Sequence, residues 1–303
     1  MNKKQFGILF SILVLVAGGI LLWHRPESPT SPTVDTSSQK EQKADEAERD
    51  KAKDNQTQVE EDQPEEKGQE PVSQLQDLLN EAAQRTKDFF TKKQMHVTAI
   101  GDSLTQGVGD NVVEGGYVGI LESKINQNEQ LVTFDNYGKR GNRSDQLLKR
   151  LDKPEIMQSI KKADIILITI GANDIMHVLK QNFTNLEMSD FEQPQERYKT
   201  RLKDIFQMVR DLNDDAAIYL IGFYNPFGRY FQDIEELNTI INNWNQTGQT
   251  VTEQFDRTKF IPIADLFRST DIDDNVLADD HFHPNHRGYQ LFAKRVLDYI
   301  TDQ

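Results

Sequence analysis

Asp164-Ile165-Ile166-Leu167-Ile168-Thr169-Ile170 runs with hardly a polar side chain and breaks into Gly171-Ala172-Asn173-Asp174. A strand with one wet face would alternate; an unbroken apolar run marks a parallel strand covered on both faces. Segments on either side behave in the same way. Residues 95–100 read as a strand ending at Gly101-Asp102-Ser103-Leu104, 131–135 as one leading into Asn136-Tyr137-Gly138-Lys139-Arg140-Gly141, and 217–223 as one stopped by Asn225-Pro226. A short strand at 260–263 follows. Between them, apolar residues recur at helical spacing over 116–126, 144–151, 191–212, 234–255 and 286–300, with Pro154 marking the end of the second of these. A further helix over 74–90 leads in. Strands alternating with helices predict a doubly wound parallel sheet with helices on both faces.

In such a sheet, ligands bind beyond the carboxyl ends of the strands. Ser103 follows the first strand, Gly141 the second and Asn173 the third, so residues distant in sequence are expected on one edge. A serine hydroxyl is a weak nucleophile until a base takes its proton. His283 is the candidate base, in Asp280-His281-Phe282-His283-Pro284 before the last helix. The spacing lets the Asp280 carboxylate reach one ring nitrogen while the other faces Ser103. Pro284 restricts His283 to extended backbone. Asp279 is the rival carboxylate and is expected at the surface; His281 and His286 are expected to be solvated. An acyl-transfer intermediate needs donors aimed at its developing negative charge. The Ser103 and Gly141 N–H groups and the Asn173 amide would supply three, with Gly138 a competitor to Gly141. Neither a Gly-x-Ser-x-Gly elbow nor a nucleotide-binding glycine loop occurs in the chain. A metal site built on Asp279, Asp280, His281, His283 and His286 would leave Ser103 and Asn173 without a role.

The four blocks around Ser103, Gly141, Asn173 and His283, in this order, resemble the SGNH (GDSL) hydrolase family. The resemblance spans residues 95–300. It implies a flavodoxin-like three-layer α/β/α sandwich with a central parallel sheet of about five strands. It also implies a carboxylic ester hydrolase with Ser103, His283 and Asp280 as catalytic residues. Ser103, Gly141 and Asn173 would form the oxyanion hole, with no cofactor and no metal. The chain also resembles the extracytoplasmic, lysophospholipase-like branch found in Gram-positive bacteria, whose members commonly carry a lipoprotein cysteine. Here Gly19 stands where that cysteine would be.

Composition sets the remaining bounds. Hydrophobic residues make up only 36% of the 303, and the mean hydropathy is -0.67. The deficit is local: residues 25–72 are almost all polar and acidic, too poor in apolar surface to offset ordering entropy, and read as a disordered tether. Residues 1–24 carry Lys3 and Lys4 ahead of an apolar run from Phe6 to Trp23, near the ~20 residues a membrane-spanning helix needs. They read as an uncleaved signal anchor that leaves the hydrolase domain, 73–303, outside the cell membrane. The net charge of -14 excludes a nucleic-acid partner. Three functional readings stay open: hydrolysis of lysophospholipid or short acyl esters, O-deacetylation of a wall polysaccharide, and a catalytically silent surface-binding protein. Residues 182–193 and the aromatic-rich 223–231 are the expected pocket walls.

Overall fold

A computed structural model of the chain describes residues 70–91, 94–112, 115–182, 184–228, 235–268 and 275–301. The apolar run near the amino terminus and most of the tether lie outside these residues. Among the described residues, no helix is long and apolar enough to cross a membrane.

Among the described residues, nine α-helices and five strands follow in the order α1 (Glu70–Phe90), β1 (Met95–Gly101), α2 (Ser103–Gln106), α3 (Gly116–Ile125), β2 (Val132–Gly138), α4 (Ser144–Arg150), α5 (Pro154–Lys162), β3 (Ile165–Thr169), α6 (Ala172–Gln181), α7 (Glu192–Leu212), β4 (Ala217–Ile221), α8 (Glu235–Thr252), β5 (Thr258–Ile261) and α9 (His286–Thr301). The strands form one parallel sheet in the order β2-β1-β3-β4-β5. This is the expected α/β sandwich.

The apolar runs explain the layers. Along the central strands, Val97, Ala99, Ile165, Leu167, Tyr219 and Ile221 face one core, shared with α1, α3 and α9. Ile100, Ile166, Ile168, Ile218 and Leu220 face the other, shared with α4 through α8. A sheet buried on both faces needs apolar residues at both parities, as this sequence has. The chain leaves β1 toward β2 on one side and returns to β3 on the other. The carboxyl ends of β1 and β3 therefore meet at the reversal of strand order, where such sheets open a crevice.

Several elements depart from the sequence reading. Helix α4 ends before Pro154 as read, but Pro154 also opens α5 at its first turn, where a missing N–H costs nothing. Helix α6 starts at Ala172, inside what reads as a turn. β2 continues to Gly138 because its pairing with Ile100 and Gly101 of β1 extends it. Helix α1 begins at Glu70, within the segment read as tether, and it belongs to the domain. Leu75, Leu79, Ala82, Ala83 and Phe90 on one face are buried, chiefly against α9.

Candidate active site

Ser103 sits at the first position of α2, directly beyond β1. Asp102 caps this short helix, its Oδ1 accepting from the Leu104 N–H (3.0 Å) and the Thr169 hydroxyl (2.8 Å). The cap fixes the turn that presents the Ser103 hydroxyl, and Thr169 ties it to the end of β3. Asp102 is fully buried, and this burial pushes its carboxyl up to about 6 despite those two hydrogen bonds.

His283 reaches Ser103 from the other end of the chain. Its Nε2 lies 3.0 Å from Ser103 Oγ, and its Nδ1 lies 2.5 Å from Asp280 Oδ2. The second oxygen of Asp280 accepts from the N–H groups of Phe282 (3.0 Å) and His283 (2.9 Å). One carboxylate thus orients the ring and folds the loop that carries it. Burial pushes the Asp280 carboxyl up, but the His283 ring and these N–H donors outweigh it and hold the group down at about 2, ionised at neutral pH. With Nδ1 donating to Asp280, Nε2 is left as an acceptor for the serine proton. The loop is closed by a bridge between Leu277 and Pro284 and by the Tyr224 hydroxyl donating to the Phe282 carbonyl (2.7 Å). Tyr224 is itself stacked on Phe267.

Gly138 and Gly141 separate cleanly. Gly138 ends β2 against α2, where a Cβ would come 2.1 Å from the Gln106 nitrogen, so its role is close packing. Gly141 has φ +76° with open space around its Cβ position. It needs glycine for the backbone turn alone. Among the described residues, neither its N–H nor that of Ser103 meets an acceptor. Asn173, in the first turn of α6, gives one amide hydrogen to the Asn142 carbonyl (3.0 Å), next to Gly141. Its second amide hydrogen is left for a ligand.

Asp279 is exposed. His286 is not simply solvated as expected: Asp110 Oδ2 lies 3.0 Å from its Nδ1, and Gln290 contacts its other nitrogen. That contact ties the start of α9 to the loop after α2. Among the described residues, no three His, Asp or Glu side chains gather as a metal site.

Beside Ser103 opens a narrow, mostly apolar cleft. Ile175 and Met176 of α6, Leu237 and Ile240 of α8, and Phe223 and Phe227 line it. The expected wall at 223–231 contributes up to Phe227, while 229–231 lie outside the described residues. None of the described residues of the expected wall at 182–193 lines the cleft, where α6 stands instead. Periodicity could have found α6: Ile175, Val178 and Leu179 are spaced as one helix face.

The chain matches the model of the GDSL-like lipase/acylhydrolase family over residues 99–291. It is 37% identical over 226 residues to YpmR of Bacillus subtilis, covering 74% of this chain and 88% of that one. It is 28% identical over 210 residues to the spore germination lipase LipC of Bacillus licheniformis, covering 67% and 94%. Among solved structures it is similar to the lipase Lip_vut3 from a goat rumen metagenome, with a TM-score of 0.59 and 26% identity, covering 69% of this chain and 97% of that one.

Proposed function

The chain belongs to the GDSL-like lipase/acylhydrolase family and is a carboxylic ester hydrolase, and we propose that it cleaves acyl esters of lysophospholipid type through Ser103, His283 and Asp280. Family membership removes the reading of a catalytically silent binding protein. The observation that carries the catalytic assignment is the continuous hydrogen-bonded line from Asp280 through His283 to Ser103.

In this mechanism, His283 Nε2 takes the Ser103 proton as Oγ attacks the ester carbonyl carbon. The carbonyl oxygen becomes an oxyanion held by the N–H groups of Ser103 and Gly141 and the amide of Asn173. The tetrahedral intermediate collapses, the C–O bond breaks, and the alcohol leaves with the proton from His283. Water, deprotonated by the same nitrogen, then attacks the acyl-Ser103 ester. The acid departs and the proton returns to Oγ. Asp280 stays ionised throughout and steadies each imidazolium.

The cleft supports an acyl chain over an acetyl group, since six apolar side chains beside Ser103 would stand idle around acetate. Lys139, exposed two residues before Gly141 in a strongly acidic chain, suits a phosphate headgroup. We place the domain outside the cell membrane, held by residues 1–24 as anchor and residues 25 to about 70 as tether.

The test is turnover of p-nitrophenyl esters from acetyl to palmitoyl by the full chain, wild type and Ser103→Ala. Ser103-dependent rates should rise beyond acetyl to an optimum at a longer acyl chain. Fastest turnover of the acetyl ester would reject the lipid reading in favour of O-deacetylation. Protease added to intact protoplasts should remove the domain, and resistance would reject the location.

A further inference from the structure

Arg150, at the end of α4, is partly buried, and no carboxylate pairs with it among the described residues. Its guanidinium is directed at three oxygens instead. One arm, Nη1, donates to the Asn142 side-chain oxygen at 2.6 Å and to the Gly101 carbonyl at 3.3 Å. The other, Nη2, donates to the Tyr137 carbonyl at 2.6 Å. Gly101 ends β1, two residues before Ser103, and Tyr137 lies near the end of β2. Asn142 is 4% exposed, and its backbone carbonyl accepts from the Asn173 amide.

We infer that Arg150 is a positioning residue that, through Asn142, aims the Asn173 amide at the oxyanion. The inference rests on the oxyanion role of Asn173 proposed above. The reasoning is geometric. Asn173 can point its free N–H correctly only if the acceptor of its other N–H stays put. That acceptor belongs to residue 142, in a loop containing a left-handed glycine and lacking regular secondary structure. Several contacts hold this loop: at its near end the Lys139 N–H donates to the Gly101 carbonyl (3.0 Å) and the Arg140 N–H to the Gln106 side-chain oxygen (2.6 Å). Asp174 receives the Ser144 N–H (2.9 Å) and hydroxyl (2.6 Å) at its far end. Arg150 holds its middle and ties it to the strand that delivers Ser103. Only a planar fork can serve Asn142, Gly101 and Tyr137 together, and a lysine ammonium cannot reproduce it. Preorganised donors lose effect steeply when misaimed, so the contribution should appear in the chemical step.

The experiment is a double-mutant cycle on the full chain with p-nitrophenyl butyrate: wild type, Arg150→Ala, Asn173→Ala and the double variant. Asn173→Ala alone should lower kcat by about 10²- to 10³-fold. Arg150→Ala should lower kcat by roughly tenfold or more, the rate equivalent of losing a charge-assisted hydrogen bond, with KM within about twofold. The double variant should fall no further than about twofold below Asn173→Ala, because the two residues act as one unit. Arg150→Lys should resemble Arg150→Ala. Losses that multiply in the double variant, or an Arg150→Ala enzyme with wild-type kcat, would overturn the inference. A purely structural contribution would persist in the Asn173→Ala background and so would also appear as multiplication. Should Arg150→Ala fail to fold, Arg150→Lys and Asn142→Ala carry the same cycle. Full activity in Asn173→Ala would break the oxyanion assignment itself, a result separate from the coupling.

Discussion

Two groupings of serine, histidine and aspartate stand at opposite ends of β1, and only one has the geometry of a proton relay. At the carboxyl end, Asp280 and Ser103 occupy different nitrogens of His283. At the amino end, Asp135 Oδ2 and Ser159 Oγ both crowd Nε2 of His96, at 3.0 and 3.3 Å. There Ser159 donates directly to Asp135 at 2.7 Å and also contacts Thr98, while Lys162 pairs with the carboxylate. The Ser159 hydroxyl already donates its hydrogen to the Asp135 carboxylate, so it offers none to the ring. Burial also pushes the His96 ring down, against the pull of Asp135. Ser103 lines the cleft, whereas Ser159 is buried in the interior. The same three residue types therefore make a candidate catalytic relay in one place and a structural polar knot in the other. What separates them is which nitrogen each partner takes and whether the hydroxyl meets open space.

The widest gap should appear in paired serine variants. Ser103→Ala should lose roughly 10⁴-fold or more in kcat. Ser159→Ala should keep wild-type kcat and lose about 1 kcal/mol of stability, since it strips a partner from the half-buried Asp135 carboxylate and the buried Thr98 hydroxyl. A fluorophosphonate should modify the peptide carrying Ser103 and leave that carrying Ser159 untouched, as mass spectrometry would read. Labelling at Ser159 would erase the distinction. Next in size comes Asp280→Asn, expected to cost about 10³- to 10⁴-fold through loss of ring orientation. Its acid limb should change too. The Asp280 carboxyl titrates at about 2 when folded against 3.8 ordinarily. Its stabilisation is therefore complete above about pH 4 and is lost as the pH falls toward 2, a limb the variant should lack. An Asp280→Asn enzyme with unchanged kcat and acid denaturation would remove Asp280 from the site.

How much of this was legible beforehand follows from what kind of signal each part carries. The central strands announce themselves because burial on both faces favours apolar residues at both parities, as in Ile165–Ile168 of β3. Ser103, Gly141, Asn173 and His283 were picked out because each follows a strand or precedes a helix in a short, chemically distinctive block. Arg150, Asn142 and the Asp174–Ser144 contact were not. Their partners are backbone carbonyls and amides brought near by the sheet, and an arginine at the end of a helix looks like any solvated cation. Helix α2 has only four residues, too few for periodicity to register. Helices α5 and α6 were missed for a different reason: Pro154 and Gly171 were read as breakers when both stand at helix starts. The edge strand β5, read at 260–263, lies at Thr258–Ile261, since Lys259 on an exposed edge hides the alternation.

The smallest expected effect separates by sign two carboxylates that stand next to the two serines, Asp102 and Asp135. Asp102, behind Ser103, is pushed up to about 6 by burial, whereas Asp135, behind Ser159, is held below its ordinary value because its hydrogen bonds from Ser159 and Lys162 outweigh its burial. A raised carboxyl binds its proton more tightly in the folded chain than in the unfolded one. The Asp102 contribution is therefore best below about pH 4, declines as the pH rises to about 6, and stays flat above it. Asn at this position keeps an acceptor oxygen for Leu104 and Thr169 and carries no charge. Relative to wild type, Asp102→Asn should thus gain stability between pH 4 and pH 7, by on the order of 2 kcal/mol. For Asp135→Asn the trend reverses: wild type gains from the ionised carboxylate as the pH rises through 4, so the variant falls behind. Urea denaturation of the three proteins at pH 4, 5, 6 and 7 would read both trends. Two variants running parallel to wild type would mean that burial at Asp102 and pairing at Asp135 do not set the charge states assigned here. The contrast between the two ends of β1 would then rest on hydrogen-bond geometry alone.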